Sequence, residues 1–265
     1  MAYIDDRLRL IETVPDAFVG SIEVLREDLI KALTRQIAQL DSVDGNLVLS
    51  EANIRNIDSV ISSLDNFLFD SESEYIQALT KFIDGIQESS LLTNQFLGID
   101  SNPVYKAVLD NQKFNTIKLF DKTAIDQAIG NQIRAEISSA IAQQGNVAKT
   151  IDSIRTFIGG DAIQQPALTK YAKTQSLTAF ASADREYVTA VGKGEGIERW
   201  LYSGSLVEDS RPFCTLRVGK VFTTKEIEAW ATEEAWAGMI AGTNASNIFS
   251  NLGGWNCRHV LTPVR

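Results

Sequence analysis

Apolar residues recur every three or four positions through most of the first 199 residues, and this spacing constrains the fold more than any other feature. The clearest run follows Ser50 and consists of Ile54, Ile57, Ile61, Leu64 and Leu68, which are separated by 3, 4, 3 and 4 positions. Such spacing places side chains on one stripe of a helix that packs against partners. Ser50 is the expected N-cap, since its hydroxyl can accept a hydrogen bond from an amide of the first turn.

The same spacing predicts further helices. We expect a Ser-x-x-Glu capping box at Ser71–Glu74 to open one of them. Gly159-Gly160 is expected to end another, and Pro166 to open one that runs to about Val191. The striped positions are Phe18, Ile22, Leu25, Leu29, Leu33, Ile37 and Leu40; Ile76, Leu79, Ile83 and Ile86; Ile125, Ile129, Ile133 and Ile137; and Val147, Ile151, Ile154 and Ile158. We interpret these stripes as core, although seams of this regularity also suit packing against another chain.

The composition changes near GKGEG, residues 192–196, where the flanking charges and glycines indicate a hinge. All four tryptophans, both cysteines and the histidine follow this segment. IERWLYSG, GKVF and HVLTPV are expected to be strands, and a Thr-x-x-Glu capping box at residues 223–226 is expected to open a helix that stops near Gly238. The predicted fold is mainly α: a helical scaffold and interaction region, either a bundle or extended helices, over residues 1–195, then a small α+β module over residues 196–265.

Charge and hydropathy narrow the classes of function. The net charge of −9 argues against an extended nucleic-acid surface, which needs clustered Lys and Arg. No apolar run approaches the roughly 20 residues of a membrane helix. The acidic residues Asp5, Asp6 and Glu12 stand where a secretory signal would be basic and then apolar, so we expect synthesis and residence in a cytoplasm. Phosphate-binding loops, nucleophile elbows and His-Glu-x-x-His motifs are not found in the sequence.

Cys214, Cys257 and His259 allow four interpretations. They could bind zinc, with a carboxylate such as Asp209 as the fourth ligand. Cys257 and His259 could be a nucleophile and its base, because positions i and i+2 of a strand share a face. A disulfide conflicts with a cytoplasm. The favoured interpretation is two buried thiols and a hydrogen-bonded histidine in a compact core, with no metal, cofactor or catalytic residue and a melting temperature that does not respond to a chelator.

The order of motifs in residues 197–265 resembles a known family. IERWLYSG, EDSRPFCTLRVGKVFT, EIEAW and GGWNCRHVLTPV follow one another. This order is similar to the C-terminal module of tailed-phage minor head proteins, the phage Mu F-like head morphogenesis family. That family has a Trp-containing strand, an Asp-x-Arg-x-x-Cys segment, a Gly-Lys-x-Phe turn, and a final Asn-Cys-Arg near a histidine. The matching positions are Trp200, Asp209, Arg211, Cys214, Gly219, Lys220, Phe222, Asn256, Cys257, Arg258 and His259.

The resemblance covers about the last quarter of the chain and extends into residues 166–191. Lys173-Thr174-Gln175 stands where the family often has Arg-Thr-Glu, and His259 follows the Asn-Cys-Arg triplet that the family's histidine often precedes. We expect a charge-assisted hydrogen bond between Asp209 and Arg258 to join the two ends of the module.

The resemblance implies a non-enzymatic structural protein of the virion, made in the host cytoplasm and located at the portal vertex of the capsid. Its expected partners are the portal protein and other capsid proteins, with several copies in each particle. No membrane and no sequence-specific nucleic acid are expected as partners, while a position near packaged DNA stays open. The alternatives are a head-to-tail adaptor or collar protein and an enzyme or toxin, such as an ADP-ribosyltransferase, that carries this kind of module.

Overall fold

A computed structural model of the chain describes residues 2–100, 102–232 and 235–265, and it is mostly helical. The helices are α1 (Ala2–Ile37), α2 (Glu51–Phe69), α3 (Glu74–Leu97), α4 (Pro103–Lys118), α5 (Lys122–Ile125), α6 (Asn131–Ala142), α7 (Val147–Gly159), α8 (Ala167–Gly194), α9 (Pro212–Thr215), α10 (Thr224–Trp230) and α11 (Ile248–Asn251), with a π-helical turn at Asp126–Gly130. The strands are β1 (Ser42–Val43), β2 (Asn46–Leu47), β3 (Arg199–Ser203), β4 (Val221–Thr223) and β5 (Val260–Val264). The predicted fold class, mainly α with a small α+β module at the end, is confirmed.

The chain divides into two compact units. The first unit contains residues 2–16, Phe82–Ile117 and Thr174–Arg265, and the second contains Ala17–Lys81 and Lys118–Lys173. The C-terminal module therefore lies in the first unit together with part of α8, and the domain boundary at residues 195 and 196 stays a prediction. Within the described ranges, no helix is long and apolar enough to span a membrane.

In the second unit, the predicted stripes form the core. The stripe residues of α1 from Phe18 to Ile37 are buried, and so are the four striped isoleucines between Ile125 and Ile137. In α2 the buried residues are Asn53, Ile57, Val60, Ile61, Leu64 and Leu68, and α2 packs against α6. The prediction for Ile54 is wrong, because this side chain is 53% exposed.

Asn53 explains the shift of the α2 stripe. Its side-chain amide donates to the carbonyls of Asp41 and Val48, both at 2.8 Å, and its Oδ1 accepts from the Asp41 N–H at 2.7 Å. These bonds satisfy backbone groups that precede the helix, as buried polar groups require. The polar residue is therefore buried and its apolar neighbour Ile54 is turned outward.

The helix ends of the second unit follow the predicted chemistry with one exception. The Ser50 side chain accepts from the Asn53 N–H and caps α2, as predicted. The capping box at Ser71–Glu74 is wrong: Ser73 Oγ accepts from the Ile76 N–H at 3.1 Å, so α3 is capped two residues later. Gly160 ends α7 at a φ of 75°, which glycine adopts without strain.

Gly192, the first glycine of residues 192–196, packs against a tryptophan, and the predicted hinge is part of a helix. Helix α8 begins directly after Pro166 and continues through Gly194, so the predicted helix is confirmed and the predicted hinge is wrong. A Cβ built on Gly192 would lie 2.4 Å from the Trp200 ring. Glycine is needed there because the helix and strand β3 approach closely.

The module contains a three-stranded antiparallel sheet in the order β4-β3-β5. Trp200, in the central strand β3, is paired with Phe222 on one side and Pro263 on the other. The capping box of Thr223 and Glu226 is confirmed, but α10 ends at Trp230, well before the predicted end near Gly238. The buried core of the module includes Trp200, Tyr202, Phe213, Ile227, Trp230, Phe249, Leu252 and Leu261.

Candidate functional site

Two segments that are far apart in the module meet at a cluster of sulfur and nitrogen atoms. Cys214 lies in the short helix α9, whereas Cys257 and His259 lie just before β5. Their side chains are 3%, 4% and 6% exposed, and their candidate ligand atoms all lie within 4.8 Å of one another. The distance from Cys257 Sγ to His259 Nδ1 is 3.7 Å. The structure thus brings together the three residues that the sequence singled out.

Close backbone approach makes this cluster possible. A Cβ built on Gly253 would lie 2.6 Å from Cys214 Sγ and 2.8 Å from Cys257 Sγ, so only glycine fits beside the two sulfurs. Asn256 adopts a φ of 57°, a left-handed conformation that asparagine tolerates better than most residues. The tight turn at residues 253–256 therefore places Cys257 against Cys214.

Arg185 of α8 fixes the backbone of this segment. Its guanidinium donates to the carbonyls of His259 and Ser250, both at 2.9 Å, and to the carbonyl of Cys257. The side chain is buried, so these carbonyls are its partners in place of water. Sequence reasoning missed Arg185, although the Asp184-Arg185-Glu186 triplet in a helix of mostly small residues was a usable signal.

Arg211 closes the module where the sequence predicted an ion pair. Arg211 donates to the carbonyls of Gly253 at 3.2 Å and Trp255 at 2.8 Å. Asp209 and Arg258 are both exposed, and in the described part of the chain no hydrogen bond or ion pair joins them. The predicted Asp209–Arg258 bond is wrong, because the joining contact is made by a side chain that reaches backbone carbonyls.

The other residues that match the family pattern contribute to packing, turns and hydrogen bonds of the module. Trp200 is fully buried, and its Nε1 donates to Thr224 Oγ1 at 2.9 Å. Gly219 has a φ of 77° in the turn that leads through Lys220 to β4. Phe222 meets the Trp230 ring edge-on at 4.9 Å. The N–H of Asn256 donates to Thr178 Oγ1 of α8 at 3.1 Å.

The pKa values of the two cysteines are shifted in opposite directions. The hydrogen bond from Cys214 lowers the pKa of Cys257 well below its usual value, with Arg185 and His259 lowering it further against the effect of burial. The same bond, together with burial, raises the pKa of Cys214. Because the two thiols interact, these pKa shifts belong to the pair, and Cys257 is its more acidic member.

This arrangement narrows the four interpretations. Cys257 is almost fully buried, so a substrate has no path to it in this conformation, which disfavours a nucleophile and base. Both cysteines are free thiols. Asp209 lies outside the cluster, so a metal ion would be held by Cys214, Cys257 and His259 alone. Core packing and metal binding are the two interpretations that remain.

Comparisons with known proteins add no relative. No family model matches the chain, and no curated protein and no solved structure matches it.

Proposed function

We propose that the chain is a non-enzymatic structural protein of a tailed-phage virion, a minor head protein that acts in head morphogenesis at the portal vertex. The observation that carries this proposal is the ordered series of family-like residues between Trp200 and His259. The series resembles a family defined by capsid assembly, and the same residues lie together in one module of this chain.

The contacts of the module support this proposal. Arg211 holds the backbone of Gly253 and Trp255, and Cys214 meets Cys257 across the core. Matched residues that are distant in sequence thus stabilise one small fold. A series of this kind is typical of a fold signature, and none of its buried members has a substrate-accessible reactive atom.

The long helices support an assembly role. In the first unit, apolar side chains are exposed on two helices: Leu91 and Phe96 on α3, and Val104, Phe114 and Ile117 on α4. Exposed apolar side chains on regular helices suit contacts with other chains, and the proposed partners are the portal protein and other capsid proteins.

The test is quantitative mass spectrometry of purified particles of the phage that encodes the chain. The proposal predicts a few copies in each particle and co-purification with the portal protein from a co-expression lysate. Disruption of the gene should yield particles that lack the chain and fail to mature. Absence from particles, or a copy number like that of the major capsid protein, would contradict the proposal.

A separate experiment tests the proposal that the chain has no enzymatic activity. Nucleotide and peptide substrates are incubated with the purified chain and with Cys257→Ala, and we expect no turnover with either. Turnover that is present in the natural chain and lost in Cys257→Ala would overturn this part of the proposal.

A further inference from the structure

We propose that Cys214, Cys257 and His259 form a metal site, and that the ion best matched to it is Zn²⁺. The site joins the two ends of the C-terminal module. This inference does not depend on the phage function, since it rests on the geometry and chemistry of the cluster.

The distance between Cys257 and His259 matches tetrahedral coordination, and no pair of ligand atoms is more than about 1 Å too far apart. Zinc binds thiolate sulfur at about 2.3 Å and imidazole nitrogen at about 2.0–2.1 Å, so ligand atoms around one ion lie about 3.6–3.8 Å apart. Cys257 Sγ and His259 Nδ1 are 3.7 Å apart, and all three ligand atoms lie within 4.8 Å of one another. Small side-chain rotations are enough to bring them around one ion.

The histidine lacks the partners that a buried imidazole normally has. His259 Nε2 is buried with no hydrogen-bond partner in the described residues, and Nδ1 has only the thiol of Cys257 at 3.7 Å. Buried polar nitrogens are usually satisfied, and each unsatisfied one costs free energy. A metal bond at Nδ1 would replace its weak contact with the Cys257 thiol and explain why this nitrogen faces the sulfurs, while Nε2 would stay without a partner.

Neighbouring residues provide the outer contacts of a metal site. Tyr202 Oη donates to Cys214 Sγ at 3.4 Å. Arg185 binds the carbonyls of Cys257 and His259, which fixes the backbone of two ligands, and its positive charge favours thiolates. The cluster supplies three of the four ligands that zinc usually has.

The chain makes this inference easy to test, because it has only two cysteines and one histidine and all three lie in the cluster. The protein is purified without a histidine tag, under reducing conditions and with added Zn²⁺, then dialysed. Elemental analysis should find about one zinc per chain. Replacement by Co²⁺ should give the thiolate-to-metal charge-transfer absorption of a tetrahedral site.

Variants assign the ligands. Cys214→Ser and His259→Gln should each lower zinc affinity by more than about tenfold, and Tyr202→Phe should lower it by roughly tenfold. Asp209→Asn is the matched control and should keep the full zinc content, because this carboxylate is exposed outside the cluster.

Three results would overturn the inference: substoichiometric zinc in the natural chain, a Co²⁺ spectrum without charge-transfer absorption, or a Cys214–Cys257 disulfide in the reduced preparation. If a variant fails to fold, the natural chain still decides the matter. A chelator should remove the Co²⁺ spectrum and fresh Co²⁺ should restore it, whereas a chain that never gives the spectrum contradicts the site.

Discussion

The second unit and the C-terminal module are stabilised in different ways. The second unit buries stripes of aliphatic residues on helices whose ends are capped by nearby serine and asparagine side chains. The module buries aromatic rings, two thiols, an imidazole and the guanidinium of Arg185, which reach partners many residues away. Local sequence patterns therefore build the helical scaffold, whereas polar contacts between distant residues build the candidate site.

Among the changes considered, removal of the Arg185 side chain is expected to lower the free energy of unfolding most. Arg185→Ala leaves three buried carbonyls without their donor, at about 1–3 kcal/mol each, so the free energy of unfolding should fall by on the order of 5 kcal/mol. All four tryptophans follow residue 199, so their fluorescence during urea unfolding reports on the module.

The matched control for Arg185→Ala is Arg199→Ala, which removes the side chain of an exposed arginine in β3. This variant should change stability by no more than about 0.5 kcal/mol. Equal effects of the two variants would show that the buried contacts of Arg185 do not stabilise the module.

Truncation of a side chain in the aliphatic core of the second unit is expected to lower the free energy of unfolding by a smaller amount. Leu64 is fully buried in α2, so Leu64→Ala should cost about 2–5 kcal/mol through lost burial and the cavity it leaves. Ile54→Ala, on the exposed side of the same helix, should cost no more than about 0.5 kcal/mol. Circular dichroism during urea unfolding measures both, and a larger loss for Ile54 would contradict the observed stripe.

The smallest effect concerns the start of α3. Ser73→Ala removes the side chain that accepts from the Ile76 N–H and should cost about 1 kcal/mol. Ser71→Ala should leave stability unchanged, because Ser71 is exposed and precedes the cap. If Ser71→Ala is the more destabilising change, the capping box read from the sequence is correct and the observed cap is not.

These contrasts also explain what the sequence could predict. The helices, most stripe residues, the Ser50 cap and the Thr223–Glu226 box depend on residues within one or two turns of each other, and they were predicted correctly. The spacing of Ile54 predicts a core position, whereas the hydrogen bonds that bury Asn53 reach a preceding loop, which periodicity does not describe.

The sequence predicts which residues form the candidate site, but not the hydrogen bonds that join its two segments. Cysteine and histidine are rare in this chain, so their clustering in two motifs was visible in the sequence. Which residues join the motifs depends on three-dimensional proximity. Opposite charge alone therefore predicts the Asp209–Arg258 pair. Arg211 and Arg185 instead bind backbone carbonyls, and because every residue has a carbonyl, the sequence does not indicate which ones are bound.

We expect a metal ion bound by Cys214, Cys257 and His259 to join the two ends of the module. Amide hydrogen exchange, read by mass spectrometry with and without a chelator, tests it most directly. Metal removal should speed exchange in residues 253–264 and around Cys214, and leave α2 of the second unit unchanged. Unchanged exchange in the module of a protein shown to have been metal-loaded and then stripped, or an equal increase in α2, would contradict the claim.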